Sequence, residues 1–328
     1  MRIPSSFAAA VLVTGLAVPA SASGQAWLPL KGEGSLTAGV QLFHVNWHLE
    51  RDGSRQEEVN VQVRNVIADF TYGLTDRIAL SAGLPLVSSR FGELAHPCPD
   101  PVVSESGAYL YLPCAFPESA KIDNGKFYTT FQDLRTTVRF GLWNRHVTIT
   151  PSIGVVLPVH SYEVHGHAAP GRHLRELALG VHAGRSLGPR LPDTYVHASY
   201  VFSLSQHLEH HDLDLSLNRS NMEFEVGHQL ASRLAVQGVL LFQRMHGGLE
   251  WVDELFAPGS VHEEIHDQAA KASYRRASLG FSCSVNDRVD VSVSFLHTMA
   301  GRNSHQVDGV HIGTTWRFGL SDGIIGGK

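Results

Sequence analysis

The 328-residue chain is poor in several things at once. It has only 3 Cys, too few for a disulfide scaffold or a cysteine-rich zinc module. Charged residues make up 17% of it, below the roughly 25% of an average soluble domain. Lysine is almost missing, confined to Lys31, Lys121, Lys126, Lys271 and Lys328, and arginine carries most of the positive charge. The net charge of −5 offers no basic excess for nucleic acid. Beyond the first twenty-odd residues, no apolar run approaches the roughly 18 residues of a membrane helix. If the mature chain enters a membrane, it must do so as a closed barrel.

The N-terminus has the form of an export signal. Arg2 gives a positive start, Phe7 to Pro19 is apolar, and Ala20-Ser21-Ala22 offers small residues for cleavage. The expected organisation is a signal peptide over residues 1–22 and one domain over 23–328. The mature chain then lives where disulfides persist.

What is abundant is alternation with period two. Val289, Val291, Val293 and Phe295 alternate with Asp290, Ser292 and Ser294. Leu134, Thr136, Val138 and Phe140 alternate with Asp133, Arg135, Thr137 and Arg139. Such segments are strands with one apolar and one polar or tiny face. About twelve are expected, near 35–49, 59–72, 78–91, 127–142, 146–159, 176–187, 194–205, 219–229, 233–245, 273–285, 288–296 and 309–318. The phase changes near Leu42-Phe43 and Asn65-Val66, as β-bulges would cause. Short connections alternate with long ones, the long set being 51–58, 92–126, 160–175, 206–218, 246–272 and 297–308. An even strand number with short turns at one end is the pattern of outer-membrane barrels. The fold class expected is therefore all-β: a single transmembrane antiparallel β-barrel with short periplasmic turns and long extracellular loops.

Two further patterns fit. Arg77, Arg145, Arg190, Arg233 and Arg288 recur at the short turns, placed to reach lipid phosphates. Aromatics gather in two bands, with Phe70, Tyr72, Phe140, Trp143, Phe224, Trp316 and Phe318 towards the turns. Phe43, Trp47, Phe91, Tyr200, Phe202, Phe242 and Phe295 lie towards the loops. A soluble exported β-protein would have no reason to sort them.

The turn Tyr72-Gly-Leu-Thr-Asp-Arg77, the strand Gly83-Leu-Pro-Leu-Val87, the entry Phe131-Gln-Asp-Leu-Arg135 and Leu157-Pro-Val159 carry a narrower likeness. With them the chain resembles bacterial outer-membrane β-barrel proteins. More closely, it is similar to the transporter group named for the meta-pathway of phenol degradation. That resemblance implies an outer-membrane location and passage of small, aromatic or hydrophobic compounds. It implies no catalytic residues.

If the apolar face meets lipid, parity places Arg64, Asp69, Asp133, Arg135, Arg139, Glu176, His182, His197, Glu223, Glu225, His228, Arg276, Asp290 and Arg317 in the lumen. Arg64, Asp69, Arg135, Arg139, His182, Glu223, Glu225, Asp290 and Arg317 are the candidates for selectivity, with Glu223 and Glu225 as an acidic wall and Arg135 and Arg139 as a basic one. Histidines and carboxylates cluster in the long loops, where His165, His167, His207, His210 and His211 are candidate ligands for a divalent metal. No spacing among them matches a closed zinc site, so no cofactor is expected beyond that. Cys98 and Cys114 lie 16 positions apart in the longest loop and are a candidate disulfide, which would restrain it by about 3 kcal/mol in the chain-entropy picture. No nucleophile elbow is present, and adjacent His160 and Ser161 would point to opposite faces, so no enzyme is expected. The expected task is passive or gated passage of small molecules, with outer-membrane lipid and a small solute as partners. The alternative is a non-conducting surface protein, a receptor, adhesin or metal-capturing surface on a filled barrel.

Overall fold

A computed structural model describes residues 26–92, 102–103, 109–110, 122–250 and 265–320. Twelve antiparallel strands form the wall. They are β1 (Gly34–Leu49), β2 (Arg55–Thr75), β3 (Ile78–Gly83 and Leu86–Phe91), β4 (Tyr128–Phe131 and Leu134–Phe140), β5 (Thr148–Leu157), β6 (Glu176–Ser186), β7 (Thr194–Ser205), β8 (Arg219–Ala231), β9 (Leu234–Met245), β10 (Ser273–Asn286), β11 (Val289–Arg302) and β12 (Ser304–Phe318). Each pairs with its sequence neighbours, and β1 pairs with β12 from Gly34↔Phe318 to Leu49↔Ser304. The sheet therefore closes and leaves no free edge there, the condition for strands to cross lipid.

Two strands are interrupted side by side. Pro85 has no N–H to give the ladder, and β3 breaks at Leu84-Pro85. In β4 the break falls at Gln132-Asp133, and the Gln132 N–H donates to the Pro85 carbonyl at 2.8 Å. The pairing of β1 with β2 shifts register between Val45 and Trp47.

The outer wall is apolar across a belt. Leu36, Val40, Leu42, Val66, Phe70, Val226, Leu279, Val291 and Ile312 all face outward and are exposed. A strand needs about 9–11 residues to cross the hydrocarbon. On five strands the outward residues turn polar at one height: Leu42 gives way to His44, Val66 to Arg64, Leu86 to Arg90, Phe295 to His297 and Val310 to Asp308. That line marks the outer boundary of the lipid belt. At the other end, Phe70, Tyr72, Trp316 and Phe318 stack in one group outside the wall, with Phe70 and Phe318 centroids 6.0 Å apart. The turn arginines Arg77, Arg145, Arg190, Arg233 and Arg288 are all exposed beside them.

Four expectations need correcting. The phase changes in β1 and β2 are not bulges at Leu42-Phe43 and Asn65-Val66. The strands run through both places in regular register, and the apolar face turns inward instead. Phe43, Val45, Val61, Val63, Val87, Phe91 and Val307 form a buried cluster inside the barrel, so Phe43 and Phe91 do not belong to the outer aromatic band. The stretch 297–308 is no long loop. β11 and β12 continue through it and reverse at Asn303, whose φ is 45°. The connection expected over 51–58 is likewise short, because β2 begins at Arg55 and leaves only 50–54 between the strands. The other four long connections lie at the same end, as expected.

Candidate functional site

The lumen holds a polar arc that crosses five consecutive strands. Alternation turns Arg139 of β4, Ser152 of β5, His182 of β6, His197 of β7 and Glu223 and Glu225 of β8 inward, against apolar outward neighbours such as Val138, Ile153, Val181 and Val226. Register brings them together, because His197 pairs with Glu225 and Ser152 pairs with Arg139. Arg139 donates to Ser81 Oγ at 3.1 Å, and Ser152 Oγ lies 3.1 Å from His182 Nε2. The His182 and His197 rings lie nearly parallel, 6.0 Å apart. His197 Nδ1 is 3.8 Å from Glu223 Oε1 and 3.9 Å from Glu225 Oε2. The Tyr195 hydroxyl donates to Glu225 Oε1. The arc has a cationic end and an acidic end with imidazoles between, an arrangement that can orient a dipolar or charged solute.

The other predicted lumen charges fall into place around it. Asp69 and Arg135 are inward, both in register with Gly83 between them. A Cβ at Gly83 would strike Asp69 Oδ1, so glycine makes the room. Arg135 also donates to Gln132 Oε1 at 3.0 Å. Higher up, Arg219 grips Glu176 through two bonds of 2.5 and 2.6 Å. Arg276 is buried, bonded to Thr298 and lying over the Tyr274 ring. Asp290 and Arg317 pair at 2.6 Å near the turn end. Arg64 and His228 are not in the lumen. Arg64 shares the outward face of Val66 and Phe70 and lies over the Phe127 ring, 4.2 Å away, above the lipid belt. His228 shares the outward face of Phe224 and Val226, and its Nδ1 lies 2.8 Å from Thr194 Oγ1.

Both ends of the lumen carry inserted chain. At the turn end, Ala26 is fully buried and its carbonyl accepts from Thr150 Oγ1 at 2.6 Å. Trp27 meets Tyr195 edge-on at 5.7 Å and fills the notch left by Gly184, where a Cβ would touch its ring. The segment then follows the rim, with Lys31 N–H on Asp76 and Gly32 N–H on the Gly73 carbonyl, before entering β1.

At the loop end, the stretch 160–175 folds into the mouth. Ser89 donates to the Ala168 carbonyl, and Gln132 Nε2 donates to that of Pro170 at 2.7 Å. The His167 ring stacks on Phe91 at 4.3 Å, so the inward apolar cluster is the seat of this loop. Asp123 accepts from the N–H groups of His167 and Ala168 and lies 2.6 Å from His167 Nδ1. Tyr162 donates to Asp133 at 2.8 Å, and burial with that carboxylate raises its phenol pKa. The short helix α1 (His266–Ala269) brings Gln268 onto the Arg172 carbonyl at 2.6 Å. Burial holds Asp267 well above the usual carboxylate range, with the Asp123 charge adding to the effect. Burial likewise pushes Arg172 down to about 10.

The candidate metal histidines of the loops are spread out. His165 bonds to Glu163 at 2.7 Å and has the His210 ring 6.1 Å away, with His211 a further 4.4 Å from His210. His207 pairs with Asp214 at 2.6 Å, and His167 is engaged by Asp123. Cys98 and Cys114 lie outside the described residues. Cys283 faces outward as a free thiol. Sequence parity reached most of the arc but passed over Tyr195 and Ser152. Tyr195 shares the parity of His197, and Ser152 that of Gly154, so the signal for both was present.

The chain is similar to the solved COG4313 outer membrane channel from Pseudomonas putida F1, with a TM-score of 0.63 over 89% of this chain and 97% of that one, at 10% identity. This likeness establishes the fold. The NanC porin and the KdgM porin in complex with disordered oligogalacturonate also align, at TM-scores of 0.48 and 0.45, over 85% and 87% of this chain and 98% and 99% of theirs, with 7% and 6% identity. No family model matches the sequence, and no curated protein does. The protein is a closed twelve-stranded transmembrane barrel of the outer-membrane type.

Proposed function

We propose that the barrel is a gated outer-membrane channel for small charged or dipolar solutes, with aromatic acids the first class to test. The observation that carries this reading is the polar arc. Polar side chains on five consecutive strands, ionisable on four of them, face a lumen at the depth of the lipid belt, where such groups are costly unless they serve a pathway. The group named for phenol degradation, which the turn and strand motifs resemble, suggests the aromatic part. The loop 160–175, seated on the inward cluster, is the gate on one side, and the segment Ala26–Glu33 narrows the other. Export through a signal peptide fits the same location, and sequencing the mature N-terminus near Ser23 tests it.

The test is single-channel conductance of the refolded protein in a planar bilayer. Discrete ion-selective steps are expected, and Glu223→Gln with Glu225→Gln should shift the reversal potential towards anions. Folded protein that leaves the bilayer silent in every loop state overturns the channel reading. It would favour a filled, non-conducting surface protein.

A further inference from the structure

His197, Glu223 and Glu225 form the one cluster of three or more histidine, cysteine or carboxylate ligands able to meet around an ion among the described residues. One ligand atom from each lies within 4.8 Å of the others. In a tetrahedral site with zinc bonds of about 2.1 Å, ligand atoms stand roughly 3.4 Å apart. The separations of 3.8 and 3.9 Å from His197 Nδ1 to the two carboxylates need a few tenths of an ångström of side-chain contraction. The two carboxylates, within 4.8 Å of each other, need up to about 1.4 Å.

The state of these groups points to a ligand. The His197 and Glu225 side chains are fully buried, at 0% exposure each. Yet neither ring nitrogen of His197 has a hydrogen-bond partner, and Glu225 Oε2 has none either. Buried polar atoms left without partners are expensive, and three on one patch call for an explanation. Meanwhile Tyr195 occupies only Glu225 Oε1, and by doing so turns Oε2 towards His197. A hydroxyl holding one carboxylate oxygen while the other faces an imidazole is the second layer that metal ligands ordinarily have. All the groups stand on β7 and β8, two paired strands of the wall, which fixes their spacing better than a loop could.

We propose that His197, Glu223 and Glu225 bind a divalent transition-metal ion on the lumen wall, with Tyr195 as a positioning residue. One imidazole nitrogen and two carboxylates suit zinc or a neighbour of similar softness, not a soft monovalent ion. Water from the lumen completes the shell. A bound ion cancels the negative charge at the acidic end of the arc. The proposal stands on the barrel fold alone, whether or not the lumen conducts.

Equilibrium dialysis of the folded, detergent-solubilised barrel against Zn2+ tests it, in a background where His165, His167, His207, His210 and His211 are changed to Gln so that the loop candidates are silent. One zinc per chain is expected. Glu225→Gln and His197→Gln should each weaken it at least tenfold, and Tyr195→Phe by about tenfold while keeping the stoichiometry. Variants that bind like their parent overturn the proposal. Should a variant fail to fold, anomalous scattering at the zinc edge from crystals of the unaltered protein decides the matter. A peak between His197 Nδ1 and the two carboxylates supports the site, and a peak in the loops alone, or none, overturns it.

Discussion

Two parts of the same wall carry opposite polarity. Along β5 to β8, inside the lipid belt, polar side chains face in and apolar ones face out. Along the loop-end halves of β1, β2, β3 and β12 the order is reversed, with Val45, Val61, Val63 and Val87 inside and His44, Gln62, Arg64, Arg90 and Asp308 outside. The backbone parity is continuous through both. Height decides the difference. Within the bilayer the outside is hydrocarbon and the inside is wet. Above it the outside is water, and the inside is filled by the loop that carries Ala168. Strand alternation reports which face is apolar, and only the surroundings say which face is inner.

The sharpest way to break this contrast is to charge the wrong side. Val63→Asp puts a carboxylate into the inward apolar cluster and should cost about 4 kcal/mol, read as a lowered denaturant midpoint. Gln62→Asp, one residue away on the wet face, should change it by no more than about 0.5 kcal/mol. The same contrast runs vertically along β1. Val40→Arg, within the belt, should cost about 3 kcal/mol in refolding into lipid, and His44→Arg, just above it, about 0–1. Equal costs would mean that the boundary has been drawn in the wrong place.

Smaller effects sharpen the loop side. Asp267 has its pKa raised by burial, so the docked loop holds that proton more tightly than the free one does. Docking is then favoured most below the ordinary carboxylate pKa of about 3.9 and weakens as pH rises through the raised value. Protease cleavage within 246–272 should accelerate with rising pH, and Asp267→Asn should flatten that profile. At the outer surface, His297 and Asp308 pair at 2.6 Å but stay about half exposed. Asp308→Asn should move the denaturant midpoint by no more than about 0.5 kcal/mol.

Much of this architecture was legible in the sequence, and the exceptions have a common cause. Strand positions and the inward placement of Asp69, Arg135, Arg139, His182, Glu223, Glu225, Asp290 and Arg317 follow from alternation alone. Arg64 escapes the rule because its stretch of β2 lies above the belt, where polar no longer means inward. Phe43 and Phe91 read as outward residues for the same reason. The run 297–308 reads as a loop because, with water outside and packed loops inside, its two strands have no single apolar face. The segment before β1 carries no periodicity at all. Its position depends on notches such as Gly184 and on one hydroxyl, Thr150, that only the folded wall brings together.

That segment also constrains the order of assembly. Ala26 is bonded inside the lumen, and β1 begins at Gly34 and fastens to β12 to close the cylinder. The Ala26 segment is thus enclosed by a seam that its own continuation completes. Either Ala26 is in place against β5 before β1 and β12 zip together, or it threads inward afterwards through the turn-end mouth. A folded tag fused just upstream of Ala26 would separate these histories. It should stall closure in the first case and leave a complete barrel with a vacated notch at Gly184 in the second.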